Sequence, residues 1–267
     1  MVIGKDGGAL EKTNKIDNYY GFSNTISGKE LLINGLEQAK RLGVQIETDE
    51  VIGIEYNNNI YQIKTRNNLF KTKTLILATG TSRKTPNIKG LKEFEGNGVS
   101  YCAVCDAFFY RNKDVSVLGS GDYALEEART LLPVAKSVSI LTNGEKLVEN
   151  RSTSYDDFKI NENEIEEIRG DNRVDSIQLK NGNNIKTDGI FIAVGTASST
   201  DLARKIGAIV KDGNIVVNED MATNVPGLYA CGDCTGGLLQ ISKAVYEGAV
   251  AGTTAIKYLR KTNTNNI

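Results

Sequence analysis

The stretch that decides the fold of this chain is DVSVLGSGDYALEEARTLLPVAKSVSIL, residues 114–141. An apolar, β-branched run at 114–118 leads into the turn Gly119-Ser120-Gly121. Helix-forming residues follow over 122–132, and a second strand pattern covers 137–141. A strand, a crossover helix and a second strand form a βαβ unit, so the sequence predicts parallel strands here.

The turn inside this unit has the form G-x-G-x-x-A, with Gly119, Gly121 and Ala124 at its fixed positions. Between a strand and a helix, such a turn is typical of dinucleotide-binding folds, where the helix N-terminus faces a pyrophosphate. The second strand ends at Leu141 without the acid that binds a ribose in NAD sites or the Arg that binds the NADP phosphate. The turn therefore predicts the fold, while the signal for nucleotide affinity is missing.

Other parts of the chain alternate between helix and strand patterns in the same way. Helices are predicted at 28–43, with Ser27 as N-cap, and at 240–260. Strands are predicted at 44–47, 51–56, 60–65, 74–79, 189–194 and 228–231, and the polar segment 143–186 is expected to hold short strands at most. This order predicts an α/β architecture with parallel sheets.

Composition excludes several functions. The chain has 267 residues, a net charge of −1 and no histidine, so Ser-His-Asp catalysis and His-ligated metals are excluded. The chain has no excess of basic residues that would indicate nucleic-acid binding. No apolar run approaches the roughly 20 residues of a membrane span. The N-terminus lacks the pattern of a signal peptide, and a reducing cytoplasm is the simplest expected location.

The pentapeptide Cys102-Ala103-Val104-Cys105-Asp106 carries the chemistry. A C-x-x-C spacing fits a redox disulfide, a zinc ligand pair or chance, and the sequence alone leaves these open. Cys231 and Cys234 form a second C-x-x-C, but the two pairs are too far apart for a zinc ribbon, so no metal is expected. Gly232-Asp233 follows a strand pattern, where a carboxylate either faces a cofactor or caps the next helix.

Taken together, these motifs resemble the low-molecular-weight thioredoxin reductases. Besides the pentapeptide and the G-x-G-x-x-A turn, the matching pieces run in family order along nearly the whole chain: Gly7-Gly8-Ala9-Leu10, Asp17-Asn18-Tyr19-Tyr20-Gly21-Phe22, Gly28-Lys29-Glu30-Leu31, Ala78-Thr79-Gly80, Phe108-Phe109-Tyr110, Glu126-Glu127-Ala128, and Gly232-Asp233 with Leu239-Gln240.

The resemblance implies two Rossmann-like domains, each doubly wound and three-layered, in a flavoenzyme that acts on thioredoxin or a similar small dithiol protein. The FAD domain would be discontinuous, residues 1–85 and 188–267, and residues 86–187 would form a nucleotide-binding-like domain with the redox cysteines. A homodimer is the family expectation.

The resemblance also implies roles for individual residues. Cys102 would attack the partner's disulfide, Cys105 would lie next to the flavin, and Asp106 would supply the proton. FAD contacts are expected at Gly4, Gly7, Gly8, Asn18, Thr79, Gly80, Gly232, Asp233, Leu239, Gln240 and Ile241, and a nicotinamide nucleotide would use Gly119, Gly121 and Ala124.

Two departures from the family pattern matter. The family opens with a strand, a G-x-G-x-x-G turn and a helix, whereas this chain starts after that unit; we expect an FAD domain truncated at its N-terminus, with a hydrophobic gap. The arginines expected after Leu141 are also absent, which favours ferredoxin or another donor over NADPH. The alternative is a non-catalytic binding protein that retained the fold, or an inactive fragment.

Overall fold

The computed structural model describes residues 1–80, 86–148, 155 and 157–264. The chain divides into two compact units, the first formed by Met1–Ser82 and Ser198–Ile267 and the second by Arg83–Ala197. The boundary expected at residue 85 lies outside the described residues. Within the described ranges, no helix is long and apolar enough to cross a bilayer.

Strands and helices are numbered here in chain order. The strands are β1 (Val2–Gly4), β2 (Ile46–Thr48), β3 (Val51–Asn57), β4 (Ile60–Thr65), β5 (Leu69–Thr72), β6 (Leu75–Leu77), β7 (Val99–Ser100), β8 (Asp114–Leu118), β9 (Ser137–Leu141), β10 (Lys159–Asn161), β11 (Ile165–Gly170), β12 (Val174–Leu179), β13 (Asn184–Lys186), β14 (Gly189–Ile192), β15 (Val210–Lys211), β16 (Asn214–Ile215) and β17 (Leu228–Ala230). The helices are α1 (Gly8–Glu11), α2 (Gly28–Arg41), α3 (Ala103–Asp106), α4 (Asp122–Leu131), α5 (Ser199–Lys205) and α6 (Ile241–Thr264), with 3₁₀ turns at Ala107–Tyr110 and Gly232–Thr235.

The second unit is built on a parallel sheet with strand order β10-β9-β8-β14-β7. The predicted βαβ unit is present as β8, α4 and β9. Gly119 ends β8 with φ of +155°, and a Cβ there would lie 2.3 Å from the carbonyl oxygen of Ala193. Only glycine fits this turn, so packing alone accounts for Gly119.

An antiparallel sheet of β11, β12 and β13 forms a further layer of this unit. The strands between 143 and 186 are short, as expected, at three to six residues, but the polar composition did not indicate that β11, β12 and β13 pair into one sheet. Their buried side chains share one core with the parallel sheet: Leu118, Leu141, Ile165, Ile168, Val174, Ile177, Leu179, Ile190 and Ile192. This core holds the sheet that carries the redox turn.

Strand β14 was expected in the FAD domain, with the domain boundary at residue 188. The structure corrects this, since β14 hydrogen-bonds in parallel to both β7 and β8. The second unit accordingly continues to Ala197. An apolar run carries no information about which sheet it joins, which explains the misplacement.

The first unit contains two separate parallel pairs, β1 with β2 and β6 with β17. Strands β3, β4 and β5 form an antiparallel sheet, in which Asn58 and Asn59 have positive φ at the hairpin turn between β3 and β4. Helix α2 begins as predicted, since the Ser27 hydroxyl accepts a hydrogen bond from the backbone N–H of Glu30. Val2 and Ile76, on the parallel pairs, remain exposed.

Candidate redox site and cofactor-binding residues

The redox turn lies between β7 and the 3₁₀ turn that follows α3. Cys102 and Cys105 are joined by a disulfide, with their Cα atoms 5.3 Å apart. Cys102 is the N-cap of α3, and its Sγ accepts a hydrogen bond of 3.2 Å from the backbone N–H of Cys105. A sulfur that faces a helix N-terminus is favoured as a thiolate, so this contact supports Cys102 as the nucleophile.

The solvent exposure of the two cysteines favours the opposite assignment of the nucleophile. Cys102 is only 3% exposed, whereas Cys105 is exposed. A protein disulfide has to reach the attacking sulfur, and in the oxidised turn Cys105 is the more accessible residue. Hydrogen bonding thus favours Cys102 as the attacking thiol, and accessibility favours Cys105.

Asp106 is held by a residue that the sequence did not single out. The Ser100 hydroxyl donates a hydrogen bond of 2.6 Å to Oδ2 of Asp106 and accepts one of 3.1 Å from the backbone N–H of Cys102. Ser100 is buried at the end of β7. It therefore links the carboxyl group to the redox turn. One serine among many gives no signal of this role in a single sequence.

The second cysteine pair is buried and is not joined by a disulfide. Cys231 packs with Tyr229 and Ala251 in a buried cluster, and the Cys234 thiol donates to the carbonyl oxygens of Leu77 and Cys231. Both thiols are free. No cluster of acids and cysteines suited to a metal ion occurs in the described part of the chain. Burial raises the pKa of both thiols, that of Cys231 to about 11, so neither is reactive near neutral pH.

Ionisation of the buried Cys231 thiol should lower the free energy of unfolding at alkaline pH. Because its pKa rises from 9.0 unfolded to about 11 folded, its contribution is complete below pH 9 and is lost as pH passes 11. The loss should approach about 3 kcal/mol, because the pKa difference between 9.0 and about 11 is worth ~2.8 kcal/mol at ~1.4 kcal/mol per pKa unit. Urea unfolding of the wild type and Cys231→Ala across this range measures it. The decline should be shallower in Cys231→Ala, and equal slopes would contradict the assignment.

Residues expected to bind FAD lie in the first unit. Asn18 and Gln240, far apart in sequence, are brought together by a hydrogen bond of 3.1 Å from Asn18 Nδ2 to Gln240 Oε1. Asp233 lies in the 3₁₀ turn after β17, where Gly232 has φ of +79°. Amide and carboxylate groups of this kind match the carbonyl and hydroxyl groups of a flavin nucleotide, so the donor set fits FAD.

An ion pair between a half-buried lysine and a buried glutamate supports the loop that carries Asp233. Glu247 accepts from the backbone N–H of Gly232 at 2.8 Å and forms a salt bridge of 3.1 Å with Lys243. The Lys243 ammonium also donates to the carbonyl oxygens of Gly232 and Gly236. Helix α6 therefore fixes both ends of this loop. Neither side chain could be singled out from the sequence alone.

The other expected FAD residues are spread over several elements of the first unit. The Thr79 hydroxyl contacts that of Ser199, next to Gly80, whereas Leu239 is exposed just before α6. The remainder lie at element ends: Gly4 is the last residue of β1, Gly7 is the N-cap of α1, Gly8 is its first residue, and Ile241 is the first residue of α6.

The G-x-G-x-x-A turn is engaged by the chain itself. Ser120, between Gly119 and Gly121, donates from its hydroxyl to Oε2 of Glu145 at 2.5 Å. Its carbonyl oxygen accepts from the backbone N–H of Val148 at 2.9 Å. A carboxylate at this turn opposes the phosphate groups of a dinucleotide by like-charge repulsion.

A disulfide turn with an adjacent acid, on a Rossmann-type sheet in a two-unit α/β chain, defines a disulfide oxidoreductase. Residues 7–248 match the family described as pyridine nucleotide-disulphide oxidoreductase. The relatives described below are thioredoxin reductases that are at least 30% identical to this chain. The chain therefore belongs to the thioredoxin reductases of that family. This confirms the resemblance found in the sequence.

Several relatives match almost the whole chain. The thioredoxin reductase of Peptoclostridium acidaminophilum is 34% identical, with 97% of this chain and 88% of the relative covered. That of Aquifex aeolicus is 36% identical, over 93% and 80%. The crystal structure of an atypical thioredoxin reductase from Desulfovibrio vulgaris Hildenborough superposes with a TM-score of 0.90 at 34% identity, covering 97% of both chains. A ferredoxin-flavin thioredoxin reductase from Clostridium acetobutylicum gives 0.68 at 33% identity, covering 98% and 89%.

Proposed function

We propose that this chain is a flavin-dependent reductase that reduces the disulfide of thioredoxin, or of a similar small dithiol protein, through Cys102 and Cys105. The observation that carries this proposal is the disulfide between these two cysteines at the N-terminus of α3, in a chain whose relatives are thioredoxin reductases. The fold alone would also suit a non-catalytic binding protein, but such a protein has no need of a closed redox ring with an acid behind it.

The chemistry proposed for the redox turn is thiol–disulfide exchange. In the dithiol form, the Cys102 thiolate attacks one sulfur of the partner disulfide, and Asp106 protonates the sulfur that leaves. The Cys105 sulfur then attacks Cys102 in the mixed disulfide, and the proton that Cys105 loses balances the proton taken up by the second partner sulfur as it leaves. This step closes the ring and releases the partner as a dithiol. Two electrons pass to the partner, and FAD, when bound, supplies the two electrons that reopen the ring.

We propose that FAD is held by the first unit. Asp233 would bind a ribityl hydroxyl from a turn that Lys243 and Glu247 keep in place. Asn18 and Gln240 would bind polar groups of the cofactor from adjacent positions. The remaining contacts proposed are made by Gly4, Gly7, Gly8, Thr79, Gly80, Gly232, Leu239 and Ile241.

The electron donor proposed is ferredoxin or another protein in preference to NADPH. Support comes from the missing arginines after Leu141 and from Glu145, whose carboxylate meets Ser120 where a pyrophosphate would bind Gly119, Gly121 and Ala124. The Clostridium acetobutylicum neighbour is described as ferredoxin-flavin linked. We also propose that the protein is cytoplasmic and forms a homodimer.

Purified protein supplied with FAD should be yellow, and its flavin should be bleached by reduced ferredoxin faster than by NADPH or NADH. Flavin absorbance followed anaerobically with each donor measures this, and thioredoxin reduction is then assayed with the fastest donor. Rapid bleaching by NADPH would overturn the donor proposal alone. A folded protein that retains no FAD would overturn the flavin proposal.

A further inference from the structure

Helix α4 places a buried carboxylate against the redox turn. Glu127 is 1% exposed, and its Oε2 accepts a hydrogen bond of 2.8 Å from the backbone N–H of Ala103. Ala103 lies between the two cysteines, is fully buried and is the first residue of α3. A side chain of α4 thus hydrogen-bonds to the disulfide ring, although Glu127 and Ala103 are 24 residues apart in the sequence.

This contact is the strong kind of hydrogen bond. Removing a carboxylate from water is costly unless charged or hydrogen-bonded groups compensate, and a bond from an amide to a carboxylate is about twice as strong as one between neutral groups. Three amides of the turn have acceptors: that of Cys102 is bound by Ser100, that of Ala103 by Glu127 and that of Cys105 by the Cys102 sulfur. Of these acceptors, Glu127 is the one that comes from a separate helix.

We propose that Glu127 is a positioning residue that keeps the redox turn in place while the cysteines are reduced. The disulfide itself constrains the ring when it is closed. In the dithiol form this covalent constraint is gone, and the hydrogen bond from Ala103 to Glu127 holds the first turn of α3. The Cys102 sulfur then stays at the helix N-terminus, where its thiolate is stabilised. The inference rests on the proposed function, since it concerns the same exchange reaction.

Three substitutions of Glu127 separate an acceptor role from simple core packing. Glu127→Gln keeps an oxygen in place to accept from Ala103, whereas Glu127→Met keeps the volume without an acceptor. Glu127→Asp keeps the charge but is one methylene too short to reach. Glu126→Met, half-buried on the same helix, is the matched control. The full chain is reduced with dithiothreitol and desalted, and its reaction with a small aromatic disulfide is followed without flavin or electron donor. A Cys102→Ser, Cys105→Ser double variant gives the background from the buried thiols.

We expect roughly ten-fold slower reaction in Glu127→Met and Glu127→Asp, because a small displacement of a reacting group has effects of this size. Glu127→Gln and Glu126→Met should stay within about two-fold of the wild type on the same grounds. If Glu127→Met fails to unfold cooperatively on heating, Glu127→Asp carries the test. Wild-type rates in both impaired variants, or a Glu127→Gln as slow as Glu127→Met, would overturn the proposal. Because no flavin or donor is involved, either result stands apart from failure of the proposed function.

Discussion

Replacing Cys102 or Cys105 by Ser should lower the rate of thioredoxin reduction by roughly a thousand-fold or more, because each sulfur takes part in a covalent step. Neither single variant can form the disulfide that joins these residues in the structure. Flavin content should be unchanged, since the residues proposed to bind FAD belong to the first unit. The measurement is steady-state reduction of thioredoxin with the donor that best bleaches the flavin.

The same variants decide which sulfur attacks the partner. If Cys102 attacks, reduced Cys105→Ser should trap a mixed disulfide with a thioredoxin variant that keeps only its reactive cysteine, supplied as a mixed disulfide with a small aromatic thiol, because neither protein then offers a resolving thiol; Cys102→Ser should not. Accessibility in the oxidised turn predicts the reverse. Non-reducing electrophoresis and intact mass distinguish the two outcomes. Cys234→Ser, which alters a buried free thiol, is the control and should behave as wild type. Substantial turnover by either single variant would contradict the proposed reaction.

Local patterns in the sequence were enough to predict the elements around the redox turn. The βαβ unit at 114–141 has its strands and helix at the expected positions, because apolar periodicity and a glycine turn are both local signals. The pairing of Cys102 with Cys105 was one of the interpretations left open, and a separation of three residues makes it sterically simple. Local chemistry thus pointed to the correct class of protein.

Contacts between distant segments could not be predicted. Glu127 and Ala103 meet only because α4 packs against α3, and Lys243 and Glu247 support the Asp233 loop only because α6 packs below it. Membership of β14 in the second unit likewise depends on a sheet order that one apolar strand does not encode. Glu145 lies only four residues after Leu141 in the sequence, but its contact with Ser120 could not be predicted without the fold.

Asp106→Asn should slow thioredoxin reduction by about a hundred-fold, the lower end of what a positioned proton donor contributes. Asn keeps the shape of the side chain and still accepts a hydrogen bond from Ser100, so the turn should remain in place while the transferable proton is lost.

The chain offers a matched control in Asp114. Its carboxylate also accepts a 2.6 Å hydrogen bond from a serine, Ser137, but it lies at the start of β8. Strands β7, β8 and β14 run parallel, so the start of β8 lies at the sheet edge opposite the redox turn. Asp114→Asn should therefore leave the rate within about two-fold. Single-turnover exchange between the reduced variant and thioredoxin disulfide isolates the protonation step. An Asp106→Asn rate equal to that of Asp114→Asn would remove Asp106 from the mechanism and leave the leaving sulfur to be protonated by water.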